Sequence, residues 1–243
     1  MSTTPPHSPV IPGAMLDYYL GQGYYRMNQD LFTCRFLPLG EAIHTVHWLR
    51  LAVPRVQYGP KQRQLLRRNA RFALAIKPFQ LTAEYEALYT RYQQALDFDT
   101  ATSLEELLLA GATRSVFRSY IMEVRDGKQL IAAGIFDHGQ DSIAGIVNFY
   151  DPTYRQYSLG RYLLLRKMEY ARQQQLAFYY PGYLVHGYPK FDYKLFACET
   201  ATEVFDCLNS EWLPFSWPEV ARQSAALVAE RYLRDVFGES ESE

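Results

Sequence analysis

Cysteine is scarce in this chain: Cys34, Cys198 and Cys207 are the only three, and no two of them form a CxxC pair. An odd, sparse count excludes a disulfide framework and a cysteine-based zinc site, and it fits a reducing compartment. Long apolar runs are missing too, since none approaches the roughly 18 residues a membrane-spanning helix needs. The opening MSTTPPHSPVIP is polar and proline-rich, so it reads as a frayed arm and not as the apolar core of a signal peptide. The expectation is a soluble cytoplasmic protein with no membrane partner. The common catalytic signatures are absent as well: there is no GxSxG, HExxH, Walker A loop or GxGxxG. Chemistry in such a chain has to work without a metal, a dinucleotide or an elbow serine. That suits transfer from an already activated donor, where positioning supplies most of the rate.

One local absence is more informative. Between Glu41 and Glu84 there is no acidic residue, while Arg50, Arg55, Lys61, Arg63, Arg67, Arg68, Arg71 and Lys77 all fall inside that window. The net charge of the whole chain is only −1, so the excess is local. It reads either as a solvated basic surface or as a phosphate-facing edge, with Arg63, Arg67, Arg68 and Arg71 as the candidate RNA contacts. His44 and His47 in the same region lack a metal-ligand spacing and have no carboxylate nearby, so no metal site is expected.

What is present is a chain of 243 residues with 48% hydrophobic and 21% charged residues, enough for a sizeable core. Period-three-to-four apolar patterns place helices at 15–23, 81–96 (behind Thr82), 104–109 (behind Ser103), 158–175, 199–208 and 218–237, the last opening on Pro218. Alternation places strands around Phe32, Cys34 and Phe36, over 42–54, at 142–150 and at 177–185. Segments 115–125 and 128–136 flank Asp126-Gly127, a strong signal for a hairpin. The fold class that follows is α/β, with a mixed, largely antiparallel sheet and flanking helices. The organisation reads as a disordered arm 1–14, a strand-rich subdomain 15–78, a central domain 79–198, a helical extension 199–238 and an acidic tail 239–243.

The most patterned stretch is 149–194. It holds ten of the 20 tyrosines, and from Arg155 to Lys194 seven Lys/Arg face only Glu169 and Asp192. Ser158-Leu159-Gly160 opens a helix straight after a strand and loop. Ser158 is a candidate cap, and the free N–H groups of that first turn are a candidate anion or carbonyl site. Further on, GYLVHGYPKFDYK interleaves aromatic and basic side chains that can stack on bases and pair with phosphates. His186 is a candidate proton acceptor. Lys190 and Lys194 are candidates to hold a carboxylate or phosphate.

These residues carry a resemblance. FYDP at 149–152, YSLG at 157–160 and GYLVHGYPKFDYK at 182–194 resemble, in order and spacing, the C-terminal domain of the aminoacyl-tRNA–protein transferases, the arginyl- and leucyl-transferases of the N-end rule. The likeness covers roughly 115–196, with weaker echoes in ALYTRYQ at 87–93 and GQGYYRMNQ at 21–29. It implies a GNAT-like acyltransferase fold in which the donor lies in a split between strands. It also implies transfer of arginine or leucine from the tRNA 3′ end to the α-amino group of proteins with acidic N-terminal residues. Aminoacyl-tRNA is then the co-substrate and no cofactor is called for. The implied donors to the developing oxyanion are the N–H groups of Ser158–Gly160 or the hydroxyls of Tyr183 and Tyr193, with His186 as a further catalytic candidate. The implied substrate-binding set is Arg26, Tyr150, Asp151, Ser158, Leu159, Gly160, Lys190 and Lys194; of these, Arg26, Lys190 and Lys194 would face an acidic acceptor side chain. The chain departs from the family pattern by keeping only Cys34 of an N-terminal cysteine cluster, so no metal or iron–sulfur role is carried over. It also has Tyr188 and Phe191 where the family has cysteine and methionine. Two other readings share this architecture: an acyl-CoA-dependent GNAT-type N-acyltransferase, and a non-catalytic descendant that binds tRNA or protein N-termini.

Overall fold

The computed structural model describes residues 10–97 and 100–237, with side chains up to 235. Its elements in chain order are α1 (Gly13–Gly21), β1 (Tyr25–Met27), β2 (Asp30–Phe32), β3 (Phe36–Leu39), β4 (Ala42–Ala52), α2 (Pro60–Asn69), β5 (Ala73–Pro78), α3 (Ala83–Gln94), α4 (Leu104–Leu108), β6 (Ser119–Asp126), β7 (Gln129–His138), β8 (Ser142–Tyr150), α5 (Leu159–Gln173), β9 (Phe178–Val185), β10 (Thr202–Asp206), β11 (Glu211–Pro214) and α6 (Trp217–Phe237). Short 3₁₀ turns cover Pro152–Tyr157 and Pro189–Phe196.

Local chemistry accounts for many of the boundaries. The Thr82 hydroxyl accepts from Tyr85 N–H and the Ser103 hydroxyl from Glu106 N–H, so both helices start behind capping side chains. Asp126-Gly127 turns β6 into β7, with Asp126 opposite Gln129. The sheet runs β11-β10-β4-β9-β8-β7-β6-β5, with β3 also paired to β4. Every pairing is antiparallel except β8 with β9. A parallel neighbour requires a crossover, and α5 supplies it. Alternation along the strands sorts the core onto two faces. Met122, Val124, Ile131 and Phe136 meet α5 through Leu163, Leu164 and Met168. Ile121, Leu130, Ala133 and Ile135 meet α3 and α4 through Tyr85, Leu88 and Leu104. This mixed, largely antiparallel sheet with flanking helices agrees with the fold class read from the sequence.

Three segments differ from the sequence reading. Residues 199–208 do not form a helix: a short turn at Glu199–Ala201 leads into β10, which pairs with β4. The pairing sets Glu203 opposite Arg50, and their side chains bond at 2.6 Å. An open sheet edge and a cross-strand ion pair override the helical propensity of that stretch. The alternation at 32–36 resolves into the small β1–β2 hairpin, followed by β3. The basic window holds two elements the pattern did not reveal, α2 and β5. PKQRQLLRRN offers only Leu65 and Leu66 as apolar residues, too few for a visible period. The first helix starts at Gly13 and Ile11 N–H donates to Val116 O, so residues 11–14 of the expected arm are tied down. Residues 1–9 and the tail at 239–243 lie outside the described residues. Among those that are described, no helix is long and apolar enough to cross a membrane.

Candidate active site

The one parallel pairing is short. Ser142, Ile143 and Ala144 face Phe178, Tyr179 and Tyr180; beyond that, β8 continues only with β7 and β9 only with β4. The fork is wedged open by Tyr25, whose hydroxyl lies between Tyr180 O, at 3.0 Å, and Gly145 O. The phenol has one proton to donate, shared between these two strand carbonyls.

The split holds an inner cavity of about 210 Å³. Its walls are Gly145–Asn148 of β8, Pro181–Tyr183 of β9, Leu164 and Lys167 of α5, and Phe191, Tyr193 and Lys194 of the following 3₁₀ turn. Among the described residues, no acidic side chain lines it. Gly182 fixes the geometry of one wall. Its φ of +106° is unfavourable for an L side chain, and a Cβ there would stand 3.2 Å from Lys194 Cε. Glycine therefore lets the lysine lie flat on the strand.

Lys194 is only 8% exposed. Its Nζ sits over three rings, 4.8 Å from the centroids of Phe191 and Tyr193 and 5.4 Å from that of Tyr183. Burial lowers its pKa to about 7, and the charge of Asp192 offsets part of that shift. An amine so placed is about half neutral at pH 7, and that fraction can take up a proton. Lys167, 1% exposed, is lowered to about 7 by the same cause, with Asp137 opposing. Tyr193 keeps 37% of its surface exposed, yet desolvation raises its pKa to about 12, so it remains a neutral hydroxyl.

A second, outer cavity of about 280 Å³ shares Asn148 and Tyr193 with the first. Tyr92, Tyr150, Ser158 and Gly160 line it together with Arg155 and Arg161. It lies at the N-terminus of the 15-residue α5, where unpaired N–H groups and the helix dipole favour an anion. The two cavities share Asn148 and Tyr193 and form one cleft with a basic, aromatic mouth and an aromatic interior.

Sequence comparison bears on this cleft. Residues 84–197 match the family described as "Arginine-tRNA-protein transferase, C terminus". An aspartate/glutamate leucyltransferase of Chromobacterium violaceum is 30% identical over 190 residues, covering 76% of this chain and 75% of that one. The chain belongs to the aminoacyl-tRNA–protein transferase family. A second relative with the same name, from Hahella chejuensis, is 30% identical over 139 residues, and there the match spans only 58% of the relative's length. In structure, a GCN5-related glucosamine N-acetyltransferase region of a fungal multi-domain β-N-acetylglucosaminidase is similar with a TM-score of 0.42 at 13% identity, covering 84% of this chain and 24% of that one.

Several residues singled out from the sequence meet in this family member's cleft: Tyr183, Tyr193 and Lys194 at the inner cavity, Tyr150, Ser158 and Gly160 at the outer one. Others do not. Arg26 is 6% exposed, and its guanidinium is committed to Asp137 at 2.9 Å, Ser119 at 3.0 Å and two backbone carbonyls. It is a buried strut and is not available to a substrate carboxylate. Asp151 accepts from both N–H and hydroxyl of Thr153, so it shapes the turn after β8. Leu159 is fully buried in the core. His186 lines neither cavity: its N–H donates to Thr45 O and its ring faces His47. Lys190 also lies outside both and pairs with Asp97 at 2.6 Å. Ser158 occupies the cap position with a left-handed φ of +52°, and its side chain makes no capping bond. The carbonyl of Ser158 accepts from Tyr162 N–H instead.

Of the basic window, Arg63, Arg67 and Arg68 lie on α2 and Arg71 just beyond it. That helix packs near the start of α5: Asn69 donates to Tyr157 O, and the Arg68 guanidinium sits 5.5 Å from the Tyr157 ring. The sequence assigns no site role to Tyr25, Asn148, Arg161 or Lys167, and names Arg155 and Phe191 only as part of a basic run and as a departure from the family pattern. Lys167 alone left a signal, a lysine on the helical face otherwise made of Leu163, Leu164 and Met168.

Proposed function

We propose that this chain transfers leucine from aminoacyl-tRNA to the α-amino group of proteins that begin with an acidic residue, marking them for N-end rule degradation. The observation that carries this reading is the single cleft, whose basic mouth suits a polynucleotide end and whose interior suits an uncharged aminoacyl group. Arginine would need an acid in the inner cavity, and among the described residues none lines it; the leucyl side chain fits an aromatic and aliphatic wall. The name shared by the relatives, aspartate/glutamate leucyltransferase, points the same way for both donor and acceptor.

In this reading the terminal nucleotide stacks on Tyr92 and Tyr150, its phosphates meet Arg155, Arg161 and the start of α5, and the acceptor arm continues over α2. The aminoacyl ester reaches past Asn148 into the inner cavity. The incoming amine has a pKa of about 7.7–8.0 and must be neutral to attack. Its nitrogen forms a bond to the ester carbon and the carbonyl electron pair moves onto oxygen. Lys194 takes the extra proton from nitrogen. When the pair returns, the bond to the ribose oxygen breaks and Lys194 delivers the proton there. The ester is already activated, so no cofactor is called for, and aminoacyl-tRNA places the reaction in the cytoplasm.

The test is incubation of the purified protein with Leu-tRNA or Arg-tRNA and peptides that begin with Asp, Glu or Ala. The expected result is leucine on the Asp and Glu peptides alone. No labelled peptide from either tRNA, with a working control enzyme alongside, overturns the reading.

A further inference from the structure

Beneath the cleft, a polar pair lies at the junction of the two cavities. Lys167 rises from α5 and Asn148 projects from β8. The Lys167 Nζ is 2.8 Å from Asn148 Oδ1, 2.8 Å from Ile135 O and 3.4 Å from Val147 O. An ammonium has three protons to donate and no lone pair, and here it faces three oxygens. Burial lowers the pKa of this lysine to about 7, and the neighbouring charge of Asp137 offsets part of that shift. The contact fixes the amide: its oxygen is turned to the lysine and its NH₂ away from it. Among the described residues, no group accepts a hydrogen bond from Asn148 Nδ2.

The backbone leaves room for this pair at one position. A Cβ on Gly134, on the adjacent β7, would stand 2.6 Å from Asn148 Oδ1 and 2.9 Å from Lys167 Cε. Any other residue there would push the lysine or the amide aside. Asn148 also lines both the inner and the outer cavity, so its free NH₂ group lies where the aminoacyl ester has to pass.

We propose that Asn148 Nδ2–H donates to the ester carbonyl oxygen as negative charge gathers on it, and that Lys167 is the positioning residue that holds the amide in this orientation. The inference rests on the transfer reading above and names the group that receives the charge. The amide moves no proton: it bonds the oxygen while the carbonyl pair resides there and releases it as the ribose oxygen departs. An amide held in place before the reaction needs no reorganisation when charge develops, which is the source of its effect.

Asn148→Asp is the direct test, because a carboxylate still accepts from Lys167 but offers no donor to the cleft. Steady-state kinetics with Leu-tRNA and an Asp-initiated peptide are expected to show kcat lowered about 100-fold or more. The KM for Leu-tRNA is expected to stay within about threefold of wild type, and the melting temperature not to fall. Lys167→Met, which frees the amide, is expected to lower kcat about tenfold, again with KM kept. An Asn148→Asp kcat within threefold of wild type, or a loss confined to KM, overturns the inference. So does a Lys167→Met variant that loses thermal stability but no kcat. A wild type that transfers nothing overturns the transfer reading and this inference with it, whereas an active wild type matched by Asn148→Asp overturns this inference alone.

Discussion

Lys194 and Arg26 are both buried cations, and they serve opposite ends. Lys194 has rings on three sides and, among the described residues, no hydrogen bond from its Nζ; burial is the main influence on it, with Asp192 opposing. Its pKa falls to about 7, and it loses its proton as pH rises through that value. Free enzyme and free peptide must then each lose a proton before reaction. Below pH 7, log kcat/KM is expected to rise with a slope near 2 in the wild type and near 1 in Lys194→Met. That variant should also lose roughly 10²–10⁴-fold in rate; pH–rate profiles measure both. Arg26, in contrast, is matched by Asp137, which burial raises and the guanidinium holds down. Removing one partner of such a pair leaves a buried charge uncompensated. Arg26→Met is expected to cost about 3–5 kcal/mol in urea unfolding, and Arg26→Met with Asp137→Leu to recover much of it. From sequence the two cations look alike. Only the carboxylate of Asp137, bonded to Arg26 at 2.9 Å, tells strut from reactive group.

Elements differed in how plainly they could be read. Helices α3 and α4 carry their starts in Thr82 and Ser103, and the β6–β7 turn is written in Asp126-Gly127. Those devices act within four residues, so no distant contact is needed to see them. Strand β10 was misread as helix because its identity lies in the edge of β4 that it covers. Helix α2 went unseen because it buries mainly Leu65 and Asn69 and presents the rest of its surface to solvent. Its arginines were nonetheless marked by composition, and the fold places them beside the N-terminal end of α5. Arg67→Glu with Arg68→Glu is therefore expected to weaken tRNA binding and to reduce its salt slope by about one per arginine lost. The KM for the peptide should not change. Filter binding across a salt series checks this; an unaltered slope removes α2 from the RNA path.

On the scale of the whole molecule, one sheet joins parts that are distant in sequence. Residues 84–197 contain both cavities almost entirely, yet β9 is flanked by β4 and β6 by β5, both from the first eighty residues. A fragment limited to 84–197 would expose the edges of β9 and β6 and lose Tyr25 from the fork. It is expected to show no cooperative thermal transition by circular dichroism, whereas the full chain melts cooperatively. The same dependence explains what could be known beforehand. The sequence by itself determined the class of sheet, the helix starts, the aromatic and basic character of 149–194 and the motif order that relates it to the transferase family. These follow from local periods, caps and spacings. The tertiary structure decided which of those residues share a cavity. It withdrew Arg26, Asp151 and Leu159 into structural roles, placed His186 and Lys190 outside the cleft and brought Asn148, Lys167 and Lys194 to its floor and wall. Such assignments depend on burial and on partners more than a hundred positions away, as with Tyr25 and Tyr180 or Arg26 and Asp137, and no local pattern records them.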